Sequence, residues 1–204
     1  SNATSTIDTI TSNLKTGQYA VSMISSAVAA VGPPGFLTIS GAILDGPVVG
    51  AIITIKDSSD ATVLGTTTSG ADARYVVTIP SGASFPLHVS SSGGTNQISG
   101  ETAASMDSYV IDANQTTANL SPITTVMYHA ARAAAGRLVS VTTTVAALVN
   151  TGIIAEFGFG IDTQDSTFDP ITSPIRTSNV ASVVRASPAL AETIRRAVGP
   201  GTTT

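Results

Sequence analysis

Between Leu37 and Ser92 apolar residues recur at every second position, and that periodicity restricts the stretch to extended, half-buried strands. Leu37, Ile39 and Ile43 begin the series, Val49, Ala51, Ile53 and Ile55 continue it, and Tyr75, Val77 and Ile79 follow. Successive side chains of a strand point to opposite faces, so each run can bury one side and wet the other. Asp45-Gly46-Pro47 and Ser69-Gly70-Ala71-Asp72 interrupt the runs with residues suited to turns. Ser90 to Ser108 is soft and polar, and Tyr109 to Ala113 reads as the final strand.

Helical spacing flanks the strands on both sides. Ile7, Ile10, Leu14, Gly17, Val21, Ile24, Val28 and Val31 alternate at three and four residues, the seam of a packed helix. Such a helix is marginal alone in water, so its seam is expected to pack against the C-terminal helices. Gly32-Pro33-Pro34-Gly35 stops it, since proline lacks the donor and forces its predecessor extended. At Asn119-Leu120-Ser121-Pro122 the signal returns to helix, with Ser121 placed to cap and Pro122 suited to the first turn. One helix is expected through Leu138, a second from Val141 to Phe157, and a third from Thr177 to Val198, restarted at Ser187-Pro188.

The expected organisation is a remnant of a cleaved tag at 1–3, an N-terminal helix over 4–32, a strand domain over 36–118, a helical region over 121–198 and a linker stub over 199–204. The fold class this predicts is α+β, an antiparallel β-sandwich with flanking helices forming a small bundle.

Particular residues add a resemblance. Ser40-Gly41, Asp45-Gly46-Pro47 with the following Val48 to Ile55, and Gly65 to Tyr75 with its threonine-rich strand together resemble carboxypeptidase regulatory-like domains. The resemblance covers about 80 residues and implies a prealbumin-like sandwich. It implies no activity, since such domains are mostly spacers or binding modules attached to something else. The chain departs from the family at Ala73, where glycine usually precedes the Arg/Lys-Tyr pair; glycine would accept a positive φ that alanine resists. The region from Ser121 onward is similar, through Ser121 to Thr125, Asp169-Pro170-Ile171 and Glu192 to Arg196, to helical regions that follow such sandwiches in bacterial surface proteins and lipoproteins.

Composition narrows the functional classes. Net charge is −4 and Lys15 and Lys56 are the only lysines, so no basic field exists for nucleic acid or anionic lipid. There is no cysteine, which excludes disulfides and thiolate metal sites. No apolar run reaches the roughly 20 residues of a membrane-spanning helix.

The candidate chemistry is sparse. Ser12 to Gly17 holds both Ser-x-x-Lys and Lys-Thr-Gly, but the serine acyl-transfer enzymes bring those signatures from separate segments, and one shared lysine cannot build that site. His88 lies on the polar face of its strand and His129 follows Tyr128 on a helix; two lone histidines offer zinc no third ligand at recognisable spacing. Asp162, Asp165 and Asp169 form the candidate calcium set, although their spacing is not that of an EF-hand and a polar capping loop competes. Lys56 and Asn114 are the residues available for a lysine–asparagine isopeptide bond, with Glu101 or Asp112 as the acid, against a plain solvated strand end.

The function expected is a non-catalytic structural or ligand-presenting module of an exported bacterial protein, extracellular or at the cell surface. The alternative is a carbohydrate- or peptide-binding domain serving an attached enzyme. No enzyme activity and no cofactor are expected. Partners would be a protein or carbohydrate ligand or a second copy of the chain, without nucleic acid and without a membrane-spanning segment. His129, Glu156 and Asp169 are the residues whose convergence in space would change that reading.

Overall fold

The computed structural model describes residues 35–157, 168–176, 179 and 181. The expected N-terminal helix, nearly all of the third C-terminal helix, Asp162 and Asp165 lie outside the described residues.

Two antiparallel sheets carry the alternating stretch. In the first, β1 (Phe36–Ala42) pairs with β5 (Arg74–Pro80), Leu37 opposite Ile79 and Gly41 opposite Tyr75. The second has the order β4-β3-β6-β8, from β3 (Ile52–Lys56), β4 (Val63–Thr68), β6 (Leu87–Ser92) and β8 (Met106–Val110). A short pair, β2 (Val48–Val49) with β7 (Thr95–Asn96), closes one end. The segment leaving β8 then returns beside β1 in parallel, the Ser40 and Leu120 amides donating to the Thr116 and Ala42 carbonyls at 2.9 Å each.

The two sheets bury one shared core. Ile39, Tyr75, Val77 and Ile79 of the first meet Ile53, Ile55, Leu87 and Val89 of the second. These are the residues whose period of two marked them as inward-facing. Gly65 lets β4 pass close to β5, because a Cβ there would press on Ile79, Val77 and the Thr78 carbonyl at 3.0 Å. Tyr75 keeps its hydroxyl satisfied inside the core by donating to the Ala118 carbonyl.

A helical layer covers the other face of β6 and β8. Helix α1 (Pro122–Ala134) starts as expected: the Thr124 amide donates to Ser121 Oγ at 3.2 Å, the Ser121 amide donates to Thr124 Oγ1 at 2.8 Å, and Pro122 occupies the first turn. A 3-10 turn at Leu138–Ser140 leads into helix α2 (Thr143–Phe157). Ile123, Met127, Ala131 and Leu138 join Tyr109, Phe168 and Ile171 in a second core.

Three boundaries differ from expectation. Helix α1 ends at Ala134 instead of continuing through Leu138, because Gly136 turns the chain at φ +77. The next helix starts at Thr143, not Val141, with Thr142 Oγ1 accepting from the Val145 amide at 3.3 Å. Strand β8 spans Met106–Val110 where Tyr109 to Ala113 was expected. It is covered on both faces, by the sandwich core on one side and α1 on the other, so its residues do not alternate polar with apolar.

Candidate functional site: a charged cluster between sheet and helix

The outer face of β6 carries His88, in register with Lys56 of β3 and Tyr109 of β8. Two residues along, on the same face, Ser90 pairs with Asp107. Helix α1 lies over this corner and brings Tyr128, His129 and Arg132 to it at helical spacing.

The β3–β4 loop supplies the remaining member. Asp57 builds that loop with one carboxylate oxygen, Oδ1, accepting from the Ser59 hydroxyl at 2.8 Å and from the amides of Ser59, Ala61 and Thr62. The Ser59 hydrogen bond, aided by those from Thr62 and Ala61, holds the Asp57 carboxyl down to about 2. The turn leaves Asp60 in the left-handed region at φ +62, a conformation aspartate tolerates better than most residues.

His88 is held from both sides. Nδ1 lies 2.5 Å from Asp60 Oδ1 and Nε2 lies 2.8 Å from Asp107 Oδ1. Only the imidazolium can donate from both nitrogens at once. Burial opposes that charge, but the hydrogen bonds to Asp107 and Asp60 and their negative charges outweigh it, so the His88 pKa is raised. Asp107 answers in the opposite sense: burial lifts its pKa, the two histidines depress it further, and the net shift is downward. The Tyr128 ring stacks on His88 at a centroid distance of 4.4 Å.

The helix adds two more contacts. His129 Nε2 lies 3.2 Å from Asp107 Oδ2, and Arg132 Nη1 lies 3.6 Å from Asp60 Oδ2. Arg132 also donates to the Tyr128 hydroxyl at 3.3 Å. Backbone contacts reinforce the seam, with the Asp107 amide donating to Thr125 Oγ1 and the Thr124 hydroxyl donating to the Asp107 carbonyl, both at 3.0 Å. Chemically, this arrangement binds a proton and docks a helix. The His88 side chain is only 13% exposed and both its nitrogens are engaged, which leaves no lone pair for proton abstraction. His129, at 60% exposure, is the one histidine of the pair open to solvent.

The two histidines treated separately in sequence thus meet through Asp107. Among the described residues no group of three histidine, aspartate or glutamate side chains is arranged to hold a metal ion. Of the candidate calcium set, Asp169 is described and is occupied elsewhere. Its Oδ1 accepts from the Ile171 amide at 2.7 Å, and its Oδ2 from Asn150 Nδ2 at 3.1 Å. Asn150 in turn accepts from the Tyr109 hydroxyl at 2.8 Å, which ties the 168–176 segment to α2 and β8. His129 and Asp169 therefore belong to different networks, and among the described residues no hydrogen bond brings Glu156 into either. No hydrogen bond joins Lys56 to Asn114 among the described residues; the Asn114 amide donates to Asp112 at 2.8 Å.

Asn119, in sequence only the start of the helix signal, has a structural role of its own. Asn119 is buried between β1 and the 168–176 segment. Its Oδ1 accepts from the Ala42 amide at 3.1 Å, and its Nδ2 donates to the Pro170 and Ser173 carbonyls at 3.1 and 2.8 Å. Arg74 makes a parallel contact, donating to the Ile175 carbonyl at 2.8 Å.

Compared with protein-family models, curated proteins and solved structures, the chain matches none. No described helix is long and apolar enough to cross a membrane.

Proposed function

We propose that this chain is a non-catalytic structural or ligand-presenting module of an exported bacterial protein, built on a prealbumin-like β-sandwich and acting outside the cell or at its surface. The observation that carries the reading is the use made of polar side chains. Where the chain gathers ionisable groups, at Asp60, His88, Asp107 and Arg132, they hydrogen-bond and pair with one another across three elements. Asn119 and Asp169 are spent in the same way on backbone groups. A general base must keep a free lone pair within reach of a substrate proton; His88 offers none. The resemblance of the motifs between Ser40 and Tyr75 to carboxypeptidase regulatory-like domains supports the same reading.

The test is turnover in broad hydrolase, transferase and oxidoreductase panels, with His129→Ala in parallel and circular dichroism to monitor the fold. No turnover is expected, with His88→Gln lowering the melting temperature. Reproducible turnover that disappears in a folded His129→Ala variant would overturn the assignment.

A further inference from the structure

We propose that His88 is a proton-operated latch: its imidazolium clamps the 57–62 loop onto the outer face of β6 beside helix α1, and loss of the proton releases the loop from that strand. The argument begins with donors and acceptors. Both ring nitrogens face carboxylate oxygens, at 2.5 Å for Asp60 and 2.8 Å for Asp107. A neutral imidazole carries one N–H and one lone pair. Deprotonation therefore sets a lone pair against a carboxylate oxygen at hydrogen-bond distance, and one contact must open.

The surroundings decide which one. Asp107 sits inside the β6–β8 ladder, has its amide and carbonyl bound by Thr125 and Thr124, and keeps His129 on its second oxygen. Asp60 is held only within its own loop and by the helix. It stands outside the sheet ladder, at positive φ, its amide donating to the Asp57 carbonyl at 3.0 Å and its second oxygen facing Arg132 at 3.6 Å. The remaining proton therefore stays on Nε2 toward Asp107, and the Asp60 side gives way. The other groups facing His88 do not replace the lost charge. From the helix these are Tyr128, stacked on the ring, with His129 turned to Asp107 and Arg132 to Asp60. From the sheet, Lys56 and Tyr109 are its register neighbours. With His88 protonated, Asp60 and Asp107 are balanced by His88 and Arg132; without that proton the group carries one uncompensated negative charge.

The sign follows from the same geometry. The imidazolium is favoured in the folded state, so the latch is closed below the His88 midpoint and opens as pH rises through it. Two-dimensional NMR of the intact protein reads this directly, through the His88 ring nitrogens and the amides of residues 58–61. The expected result is a His88 midpoint above the roughly 6.5 of an unperturbed histidine. The loop amides should shift with the same midpoint, and Asp60→Asn should lower it. His129→Gln, which leaves both His88 contacts in place, should keep the coupling between ring and loop. A midpoint at or below that of a free histidine, or loop amides that ignore the His88 titration, would overturn the latch. Either failure leaves the proposed structural role standing, because that role is tested by turnover.

Discussion

Replacing Asn119 with alanine is expected to cost more stability than any other single polar substitution on the β1 side of the helical layer. The side chain is 1% exposed and makes three hydrogen bonds, one accepted from Ala42 and two donated to Pro170 and Ser173. Each is worth about 1 kcal/mol net, and a buried donor left without its acceptor costs about 1 kcal/mol more. The Asn119 amide still donates to the Ile171 carbonyl at 2.8 Å in the variant, so one tie to the segment survives. The expected loss is about 3–4 kcal/mol, a sizeable part of the 5–15 kcal/mol typical of a folded domain. For a chain of this size it corresponds to a fall in Tm of roughly 10 °C.

Urea unfolding followed by circular dichroism gives the free energy, and calorimetry gives the Tm. Asn119→Asp separates the hydrogen-bond argument from simple loss of volume. The carboxylate can still accept from Ala42, but it turns an oxygen toward two carbonyls where the amide nitrogen had donated. Aspartate should therefore destabilise at least as much as alanine. A loss below about 1 kcal/mol for alanine, or near-wild-type behaviour for aspartate, would refute the claim that these three hydrogen bonds hold the 168–176 segment to β1.

Two further substitutions should stabilise the protein. Ala73 sits at φ +58, where an L-residue with a Cβ costs about 1–2 kcal/mol, and its methyl is buried although outside both core clusters. Ala73→Gly should recover about 0.5 kcal/mol once the lost methyl burial and the extra entropy of the unfolded glycine are subtracted, and an unchanged or lower urea midpoint would contradict this. The hydroxyls of Ser91 and Ser108 are buried in the sheet without a hydrogen-bond partner among the described residues. Ser108→Ala should therefore raise stability by about 1 kcal/mol, read as a higher urea midpoint at unchanged slope.

What could be read from sequence divides along the range of the interaction. The strands of the two sheets were legible because one face of each contacts the same core, so period two survives in Ile53 and Ile55, and in Tyr75, Val77 and Ile79. The start of α1 was legible because a cap is settled within four residues, Ser121 to Thr124. The departure at Ala73 was legible as well, since a missing glycine at a turn is a local conflict; the chain keeps the positive φ and bears the strain. Strand β8 was misplaced for a physical reason: buried on both faces, it obeys no simple alternation. The charged cluster was invisible because Asp60, Asp107 and His129 are brought to one corner by pairings 19 to 28 residues apart. One local clue existed, a histidine on the outer face of a strand between two inward aliphatic residues, which needs either water or a covering element. The capping signal at Ser121 announced such an element, and a helix laid over β6 and β8 must bring its own polar residues to His88. Asn119 followed the same logic from the other end. The motifs around Ser121 and Asp169 mark one helical region in sequence without showing that they touch, and it is the buried side-chain amide of Asn119 that joins them.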